Sequence, residues 1–441
     1  MARRPRSVLG RRARRRGVGL AALALAAPLL AACSGDSGPP TLNWYVNPDG
    51  VDTLGKLAEQ CSTDDYDIEL QLLPTGATDQ RVQLARRLAA KDDSTDLMSL
   101  DPVFVAEFAN AGWLEELPQE AADKATEDDV LRGAAETVTW DDKVYAFPQW
   151  ANTQVLWFRK SLAEQAGLDM SQPVTWEQVI DAANEAGGKV GVQANKYEAY
   201  VVWINALVQG AGGQIISDNE AGKDATIEID SEAGQAAAAV IEQLAGADAA
   251  QPDLTTSNEG SSLGWMYPAE GPGEFMVNWT FVYKNYQGLV DSGEITQEQF
   301  DDLGWARYPA TVEGEQSKPP VGGIDIGVGA FSQHPEFALE AAECVTSEEA
   351  QVALAVDEGL MPARNSAYDS PKLAEAYPKD LLELFRDSVD TGGPRPESAY
   401  YATISAALQS VWHAPTSVDP DSTPEESADF LRDVLDGKAL L

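Results

Sequence analysis

The chain has 441 residues and is poor in histidine, cysteine and basic side chains, with two His, three Cys and 31 Lys and Arg. So few His and Cys provide no recognisable spacing for a zinc or iron site, and no metal or other cofactor is expected. No Gly-x-x-x-x-Gly-Lys loop occurs, so nucleotide hydrolysis would require another subunit. The remainder is ordinary for a folded protein, with 44% apolar and 23% charged residues, and predicts one large or two medium domains.

Acidic residues outnumber basic ones by 71 to 31, which gives a net charge of −40. Eight of the basic residues are arginines within the first sixteen positions, so a chain without residues 1–32 would carry −48. A polyanion of this size is repelled by nucleic acid phosphates, which excludes a nucleic acid partner. The acidity also suits solubility at a salty or crowded exterior, and in that case it identifies no partner.

The first 33 residues have the pattern of an export signal. A basic stretch, Arg3–Arg16, precedes a fifteen-residue apolar run, Val18–Ala32, which is too short to span a bilayer comfortably. Leu30-Ala31-Ala32-Cys33 and the polar segment after it resemble the bacterial lipobox, in which the cysteine carries a lipid. The sequence therefore predicts a lipoprotein signal peptide over 1–32, lipidation of Cys33, a flexible tether over 33–41 and anchoring to the cell membrane. An ordinary signal peptide with an incidental cysteine is the alternative.

Lipidation of Cys33 would leave Cys61 and Cys344, an even number of cysteines in an oxidising compartment. We expect a disulfide between them, and two unrelated buried thiols are the alternative. No other apolar run approaches 18 residues, so the rest of the chain is predicted to be soluble.

Strands and helices are predicted to alternate from residue 42 to residue 111. The apolar spacing indicates strand 42–46, helix 51–61, strand 68–73, helix 79–91, strand 97–100 and helix 102–111. This alternation predicts an α/β fold with a parallel sheet covered on both faces, and ligand binding at the carboxyl ends of its strands. Capping boxes predict three more helix starts, the last of them in a helix that ends at Gly437: Thr175 with Gln178, Thr346 with Glu349, and Thr423 with Glu426.

Several motifs resemble those of one protein family. In the first part of the chain they are Asp79-Gln80-Arg81, Asp96-Leu97-Met98 leading to Asp101, and Phe108–Leu114. The strongest block is Pro148–Leu168, and further matches are Pro173–Trp176, Gly212–Ile216, Met276–Trp279, Gly322–Val328 and Thr346–Gln351. In order and spacing these motifs resemble bacterial extracellular solute-binding proteins of the carbohydrate ABC importer family (family 1). Asn152-Thr153-Gln154 departs from many relatives and resembles the actinobacterial trehalose-binding lipoprotein subset.

The resemblance implies a two-lobed fold like that of periplasmic binding proteins. Each lobe is expected to be a mostly parallel sheet flanked by helices, with interlobe crossings between them. Lobe 1 is expected over 42–147 and 309–347, and lobe 2 over 148–308 and 348–441. The resemblance also implies a monomeric receptor that is not an enzyme. Such a receptor captures a di- or oligosaccharide, with trehalose or a maltose-like sugar favoured, and delivers it to ABC permease subunits in the membrane.

A sugar ring presents an apolar C–H face and a rim of hydroxyl groups, so its site requires a flat aromatic ring and planar polar groups. The resemblance assigns stacking to Trp279, between predicted strands at Phe275–Val277 and Phe281–Tyr283; core or interlobe packing is the alternative. Arg395 stands between two prolines, which predicts a stiff loop that presents its guanidinium to two hydroxyls. A surface salt bridge is the alternative for Arg395.

The other candidates are polar residues and one glycine. Asn47 and Asp101 each end a predicted strand and should face the crevice, although Asp101 as a helix cap is the alternative. Asn152 is expected at the interlobe crossing. Gln80 and Glu259 match polar contacts of relatives, but helix capping and solvent exposure explain them equally well. The predicted sugar-binding residues are Asn47, Gln80, Asp101, Asn152, Glu259, Trp279, Gly323 and Arg395.

An enzymatic function has one motif in its favour. Gly260-Ser261-Ser262-Leu263-Gly264 fits the Gly-x-Ser-x-Gly nucleophile pattern, which needs a strand before it and a helix after it. The flanking sequence favours neither element, and the basic partner would have to be His334 or His413. A lipid-anchored secreted carbohydrate-active hydrolase is the alternative function, and a structural adhesin is a third.

Overall fold

The computed structural model of the protein describes residues 38–268 and 270–441. The expected signal peptide, the expected lipidation site at Cys33 and most of the expected tether lie outside the described residues. Within those two ranges, no helix has both the length and the apolar character needed to cross a bilayer.

The first third of the fold runs up to a long strand, β6. Its elements are β1 (Thr41–Val46), α1 (Val51–Cys61), β2 (Asp67–Leu72), α2 (Ala77–Ala89), β3 (Leu97–Leu100), α3 (Val105–Asn110), α4 (Gln119–Ala125), α5 (Arg132–Thr137), β4 (Thr139–Trp140), β5 (Lys143–Val144) and β6 (Ala146–Arg159). The strands and helices predicted from 42 to 111 are confirmed. The third predicted helix begins as a 3-10 turn, Pro102–Phe104, before it continues as α3.

The remaining elements are mostly helices around four further strands of the main sheet. In chain order they are α6 (Lys160–Ala166), α7 (Trp176–Ala186), β7 (Lys189–Gly191), α8 (Glu198–Gly210), β8 (Ile216–Ser217), β9 (Thr226–Ile227), α9 (Glu232–Gly246), α10 (Glu259–Leu263), β10 (Glu274–Trp279), α11 (Val282–Ser292), α12 (Gln297–Asp301), β11 (Leu303–Ala306), β12 (Val321–Val328), α13 (Pro335–Val345), α14 (Glu348–Glu358), α15 (Asn365–Tyr368), α16 (Pro371–Ala376), α17 (Lys379–Thr391), α18 (Tyr401–Trp412) and α19 (Thr423–Leu435).

Among the described residues, eight strands form a mixed sheet in the order β2-β1-β3-β12-β6-β10-β7, with β11 also paired to β6. β1 is parallel to β2 and β3, and β10 is parallel to β7. β12 and β6 run antiparallel to their neighbours. The parallel pairing predicted for the first three strands is confirmed, but the whole sheet is less parallel than the sequence suggested.

β6 is shared by the two lobes of the fold, which we define by their strands: β1, β2 and β3 in the first lobe, β7, β10 and β11 in the second. β6 pairs with β12 over its residues Ala146–Thr153 and with β10 and β11 over Gln154–Arg159. The block Pro148–Leu168 therefore contains a strand that runs from one lobe into the other. The residue boundaries proposed for the lobes stay a prediction.

Both lobes bury the two faces of their sheet. In β1, Trp44 and Val46 face one apolar core and Tyr45 faces the opposite one. In β10, Phe275 faces a core built with α7, α8 and α9, whereas Met276 faces a core that includes residues of α11 and α17. Because side chains alternate across a strand, apolar residues at consecutive positions require cover on both faces.

Cys61 and Cys344 form a disulfide between the end of α1 and α13, with a Cα–Cα distance of 5.8 Å. The predicted pairing is confirmed. The two cysteines are 283 residues apart in the sequence. In the chain-entropy treatment, a cross-link that closes so long a loop stabilises the fold by about 5 kcal/mol.

Of the three predicted capping boxes, the one at Thr175 and Gln178 is confirmed at the start of α7. The box at Thr346 is wrong, because Ser347 caps α14 and Thr346 still belongs to the end of α13. The Thr346 hydroxyl donates instead to the carbonyl oxygen of Ala342, four residues earlier. Two adjacent hydroxyl residues were both compatible with the motif, and the end of the preceding helix decided between them.

The box at Thr423 is also wrong, since Thr423 is the first residue of α19 and its hydroxyl accepts a hydrogen bond from the Asp419 amide. The predicted helix end is confirmed by Gly437, which follows α19 with a left-handed φ of 72°. The predicted strand Phe281–Tyr283 is wrong, because this segment leads into α11. Tyr283 and Tyr286 are both buried there, three residues apart, which is a helical spacing.

Candidate functional site

The carboxyl ends of β1, β2 and β3 open into a cleft of about 660 Å³. Asn47 follows β1, Thr75 lies in the turn after β2, and Asp101 follows β3, and all three line the cleft. The carboxyl ends of parallel strands meet at one edge of a sheet, where the sequence placed the ligand. The volume is that of a typical small-molecule site.

Two glycines of β12 make room at the floor of the cleft. A Cβ on Gly322 would lie 3.0 Å from Cη2 of Trp279, so this glycine lets the indole ring lie against the strand backbone. Gly323 has a φ of 145°, and a Cβ there would lie 2.1 Å from the carbonyl oxygen of Trp150. Any larger residue at Gly323 would have to displace β6.

The second-lobe wall of the cleft contributes aromatic residues as well as charged ones. Trp279 ends β10, Tyr197 precedes α8 and Phe281 precedes α11, and all three line the cleft. Trp279 is partly exposed, unlike core tryptophans such as Trp44 and Trp157. It therefore offers an apolar ring to the contents of the cleft.

Glu259, the first residue of α10, accepts a hydrogen bond of 2.6 Å from the Tyr197 hydroxyl. Burial raises the pKa of Glu259; hydrogen bonds from Tyr197 and Trp279 oppose the rise, and the nearby Asp49 carboxylate adds to it. Burial also raises the pKa of Tyr197, so its hydroxyl stays protonated and donates. Asn258 rather than Glu259 caps α10, which removes helix capping as the explanation for Glu259.

The first-lobe wall is polar. Asn47 Nδ2 donates to Asp49 Oδ2 at 2.8 Å, and Asn47 Oδ1 is buried with no hydrogen-bond donor among the described residues. Gln80 is also buried, and its Nε2 donates to the carbonyl oxygens of Pro74 and Thr75 at 2.9 and 3.2 Å. Gln80 therefore shapes the turn that lines the cleft, and Asn47 offers an acceptor.

Asp101, Arg395 and Glu198 form a buried charged network. Arg395 Nη2 donates to Asp101 Oδ1 at 2.6 Å, and Nη1 donates to Glu198 Oε1 at 2.7 Å. Glu198 also accepts hydrogen bonds from the hydroxyls of Tyr401 and Ser405. Burial disfavours the charged guanidinium, but Asp101, Tyr401 and Glu198 outweigh it and raise the pKa of Arg395 above its ordinary value. Arg395 is therefore permanently charged.

This network corrects two alternatives considered from the sequence. Asp101 makes no capping hydrogen bond to the 3-10 turn after it. The Arg395 side chain is 4% exposed and forms a buried ion pair, not a surface one. The Arg395 guanidinium also cannot offer both terminal nitrogens to sugar hydroxyls as predicted, because carboxylates already engage them. Its Nε is buried without a hydrogen-bond partner among the described residues.

The structure brings all eight predicted residues to the same cleft. Asn152 lies in β6 at the floor, where its Oδ1 accepts a hydrogen bond of 3.2 Å from the Thr280 hydroxyl. The remaining seven line the walls and floor around it: Asn47, Gln80, Asp101, Glu259, Trp279, Gly323 and Arg395. Their roles in sugar binding stay predictions.

Sequence reasoning missed many of the lining residues, and five of them carry aromatic or acidic side chains central to the site: Asp49, Trp150, Tyr197, Glu198 and Phe281. Glu198 had a usable signal. It begins an otherwise largely apolar helix, α8, in which polar residues recur seven and eleven positions later. A polar stripe on a buried helix indicates a partner for those side chains. The other four residues lie in loops or among apolar residues and carried no distinguishing pattern.

The Gly-x-Ser-x-Gly segment does not form a nucleophile elbow. It lies within and just after the short helix α10, and a 3-10 turn rather than a strand precedes it. Ser262 is buried and donates to the carbonyl oxygens of Val192 and Asn258. The ring of His413 contacts the Thr255 carbonyl oxygen. The motif is therefore a helix start with satisfied hydroxyls.

The sequence profile of the family described as "Bacterial extracellular solute-binding protein" matches residues 47–352, well over half of the chain. The chain belongs to this family. The resemblance seen in the sequence motifs is confirmed at the family level, and membership of the trehalose-binding subset stays a prediction.

Among proteins similar to this chain, the "Mannitol-binding protein" of Pseudomonas aeruginosa is 30% identical over 165 residues. The alignment covers 37% of this chain and 36% of that protein, so the chain spans about a third of the relative's length.

Solved structures establish the fold. The protein described as "Maltose bound T. maritima MalE3" is similar with a TM-score of 0.76 and 24% identity, over 91% of this chain and 100% of the other. The GacH receptor of Streptomyces glaucescens GLA.O, solved unliganded and with acarbose, has a TM-score of 0.74 and 23% identity, over 91% and 100% of the two chains. The two-lobed fold of periplasmic binding proteins is thus confirmed.

Proposed function

We propose that this family member is the substrate-binding lipoprotein of an ABC sugar importer. It captures a di- or oligosaccharide between its lobes and delivers it to permease subunits in the membrane. The cleft is the observation that carries the proposal, because it combines aromatic rings on its second-lobe wall with amide and carboxylate groups on both walls. These walls match the apolar C–H face and the hydroxyl rim of a sugar.

The names of the similar proteins support a polyhydroxylated ligand, since they mention mannitol, maltose and acarbose. Within this class, trehalose or a maltose-like disaccharide is favoured by the motif Asn152-Thr153-Gln154. The strand β6, shared by the lobes, supports a hinge mechanism. Ligand contacts to both lobes would favour a closed state, which the permease would recognise.

A thermal-shift panel tests the ligand class. Trehalose, maltose, sucrose, cellobiose, mannitol and the component monosaccharides are compared at equal concentration. A ligand at 100 times its dissociation constant adds about 2.7 kcal/mol to the free energy of unfolding, which raises the melting temperature measurably. We expect a disaccharide to give the largest shift. No shift with any of these compounds would contradict the proposal.

The alternative hydrolase is tested with the same sugars. Incubation of the protein with each disaccharide should leave the sugar intact, as measured by chromatography of the mixture. Release of monosaccharides, abolished by Ser261→Ala or Ser262→Ala, would favour the hydrolase.

We also propose that Cys33 carries the lipid, and that the protein acts as a monomer outside the cytoplasm. Cys33→Ala should move the protein from the membrane fraction to the medium, or leave an uncleaved precursor. Unchanged fractionation together with a normal mature mass would contradict lipidation at this position. Light scattering of detergent-solubilised protein tests the monomer.

A further inference from the structure

The loop that carries Arg395, residues 392–400, is held on the second lobe by one face of α8. Asn205 Nδ2 and Gln209 Nε2 both donate to the carbonyl oxygen of Pro394, at 3.1 and 2.6 Å. Glu198 holds the Arg395 guanidinium itself. These three α8 residues are seven and then four positions apart, which places them on one helix face. The rest of α8 packs into the second-lobe core.

The same segment contacts the first lobe at two points. Arg395 reaches Asp101 at the end of β3, and the Tyr401 ring lies 6.2 Å from the Phe104 ring, centroid to centroid. Tyr401 belongs to the apolar core that includes Tyr45 of β1, whereas Ile404, one turn later in α18, belongs to the second-lobe core. One continuous segment, carried by the second lobe, therefore bridges the cleft.

The charged residues of the cleft indicate that this bridge attracts the two lobes to each other. Among the described residues that line the cleft, Arg395 is the one cation, and the carboxylates are those of Asp49, Asp101, Glu198, Glu259 and Glu358. Asp101 belongs to the first lobe and Glu198 to the second. Without a cation between them they would repel each other across a poorly solvated gap, and with Arg395 between them both are attracted to it.

We propose that Arg395 is an interlobe latch: Glu198 and α8 fix it to the second lobe, and its pairing with Asp101 draws the two lobes together in the sugar-free protein. Glu198 is then a positioning residue that acts through Arg395. The latch deepens the proposed function, because the fraction of closed protein before binding sets how much of the sugar's affinity is spent on closure.

Small-angle X-ray scattering of the full chain without sugar tests the latch. Asp101→Asn removes the charge of the first-lobe partner and should increase the radius of gyration. Arg395→Gln should do the same, and the double variant should be no more open than the more open single variant, because both changes break one contact. The matched control is Glu107→Gln, a first-lobe carboxyl that pairs with Arg81 of the same lobe outside the cleft, and it should leave the radius unchanged. Wild-type dimensions for Asp101→Asn would overturn the latch.

Glu198→Gln tests the positioning role. This variant keeps the length of the side chain and its hydrogen-bonding capacity toward Ser405 but loses the charge that holds Arg395. We expect the sugar-free radius to increase as in Asp101→Asn. If Glu198 were only structural, the melting temperature would fall while the radius stayed at the wild-type value. Asp101→Asn keeps the latch testable should the Glu198 variant fold poorly, since the Asp101 side chain is 17% exposed.

Different experiments can contradict the latch and the proposed ligand. An opened Asp101→Asn variant in a protein that binds none of the sugars would support the latch and contradict the proposed ligand. Sugar binding by the protein, together with unchanged sugar-free dimensions in Asp101→Asn, would support the proposed ligand and contradict the latch. Where sugar binds, calorimetry on Glu198→Gln should find every accepted sugar weakened by the same factor, about tenfold, because closure is common to all of them.

Discussion

The two walls of the cleft differ in chemistry and in how they are built. The first-lobe wall is polar, and it consists of side chains that follow the ends of parallel strands, such as Asn47 and Asp101. The second-lobe wall contributes aromatic rings beside its charged groups, and these rings lie at a strand end, Trp279, and before helices, Tyr197 and Phe281. A site built in this way draws apolar contact area mainly from one lobe and orienting polar groups from both, so a ligand is held fully only when both lobes close on it.

The charged and the aromatic side chains of the cleft also differ in how much of their bonding capacity is already used. Both terminal nitrogens of Arg395 are engaged with Asp101 and Glu198, whereas the Trp279 ring lies partly exposed at the cleft. The aromatic side chains therefore have more free surface to offer a ligand. Their loss should cost more affinity than loss of the charged network, and the following variants test that order.

Trp279→Ala should have the largest effect, a loss of about a hundredfold or more in affinity for every accepted sugar, because each pyranose has an apolar face. Calorimetry measures the affinity, and the melting temperature should change little. Trp305→Ala is the matched control, since Trp305 is partly exposed on β11 outside the cleft. A Trp279→Ala protein that unfolds early while still binding sugar would assign this tryptophan to the core.

Arg395→Ala should weaken sugar binding by about ten- to hundredfold, because hydrogen bonds to charged groups contribute roughly 1.5–3 kcal/mol. Arg395→Lys should reduce sugar affinity nearly as much as Arg395→Ala. Lysine keeps the charge but lacks the planar guanidinium that bridges two carboxylates. Titration calorimetry compares both with Arg386→Lys, a change in α17 at a residue outside the cleft. Wild-type affinity in Arg395→Ala would mean that the charged network does not serve the ligand.

Gly323→Ala tests the floor between the walls. The added Cβ would overlap the Trp150 carbonyl oxygen, and its φ of 145° disfavours any residue other than glycine. We expect a loss of stability of about 1–3 kcal/mol, measured by denaturant unfolding, with weaker sugar binding. Gly314→Ala is the control, since Gly314 also has a positive φ but an added Cβ there has no neighbour within 4 Å. Equal stability losses in the two variants would assign the effect to backbone conformation alone.

Glu397 lies two residues after Arg395, and burial raises its pKa to about 8, with a smaller contribution from Glu136. Because the pKa of Glu397 is higher in the folded state than its ordinary value of 4.5 in the unfolded chain, the folded protein binds more protons at this group. Its contribution to stability is therefore fully present at low pH and is lost as pH rises through 8. Glu397→Gln should flatten the pH dependence of unfolding between pH 5 and 8 by at most about 1.4 kcal/mol per pH unit. Identical slopes for variant and wild type would contradict the raised pKa.

Much of the fold and of the site could be predicted from the sequence because the interactions that determine them are local. The boundaries of the first strands and helices follow from the spacing of apolar residues, and the order of β1, β2 and β3 puts Asn47 and Asp101 at one edge of a parallel sheet. The cysteine count favoured a disulfide between Cys61 and Cys344 over two separate thiols, and the structure confirms it. The remaining site residues were predicted from the family resemblance of the motifs that contain them, and they line the same cleft.

Only the tertiary structure decided what those side chains do to one another. Arg395 is 294 residues from Asp101 and 197 from Glu198 in the sequence, and no local pattern records that the three meet. Likewise, the mixed sheet arises because β12, far along the chain, inserts antiparallel between β3 and β6. Periodicity and capping motifs report a residue's neighbours within a few positions, whereas strand pairing and buried ion pairs depend on contacts that exist only after the chain has folded.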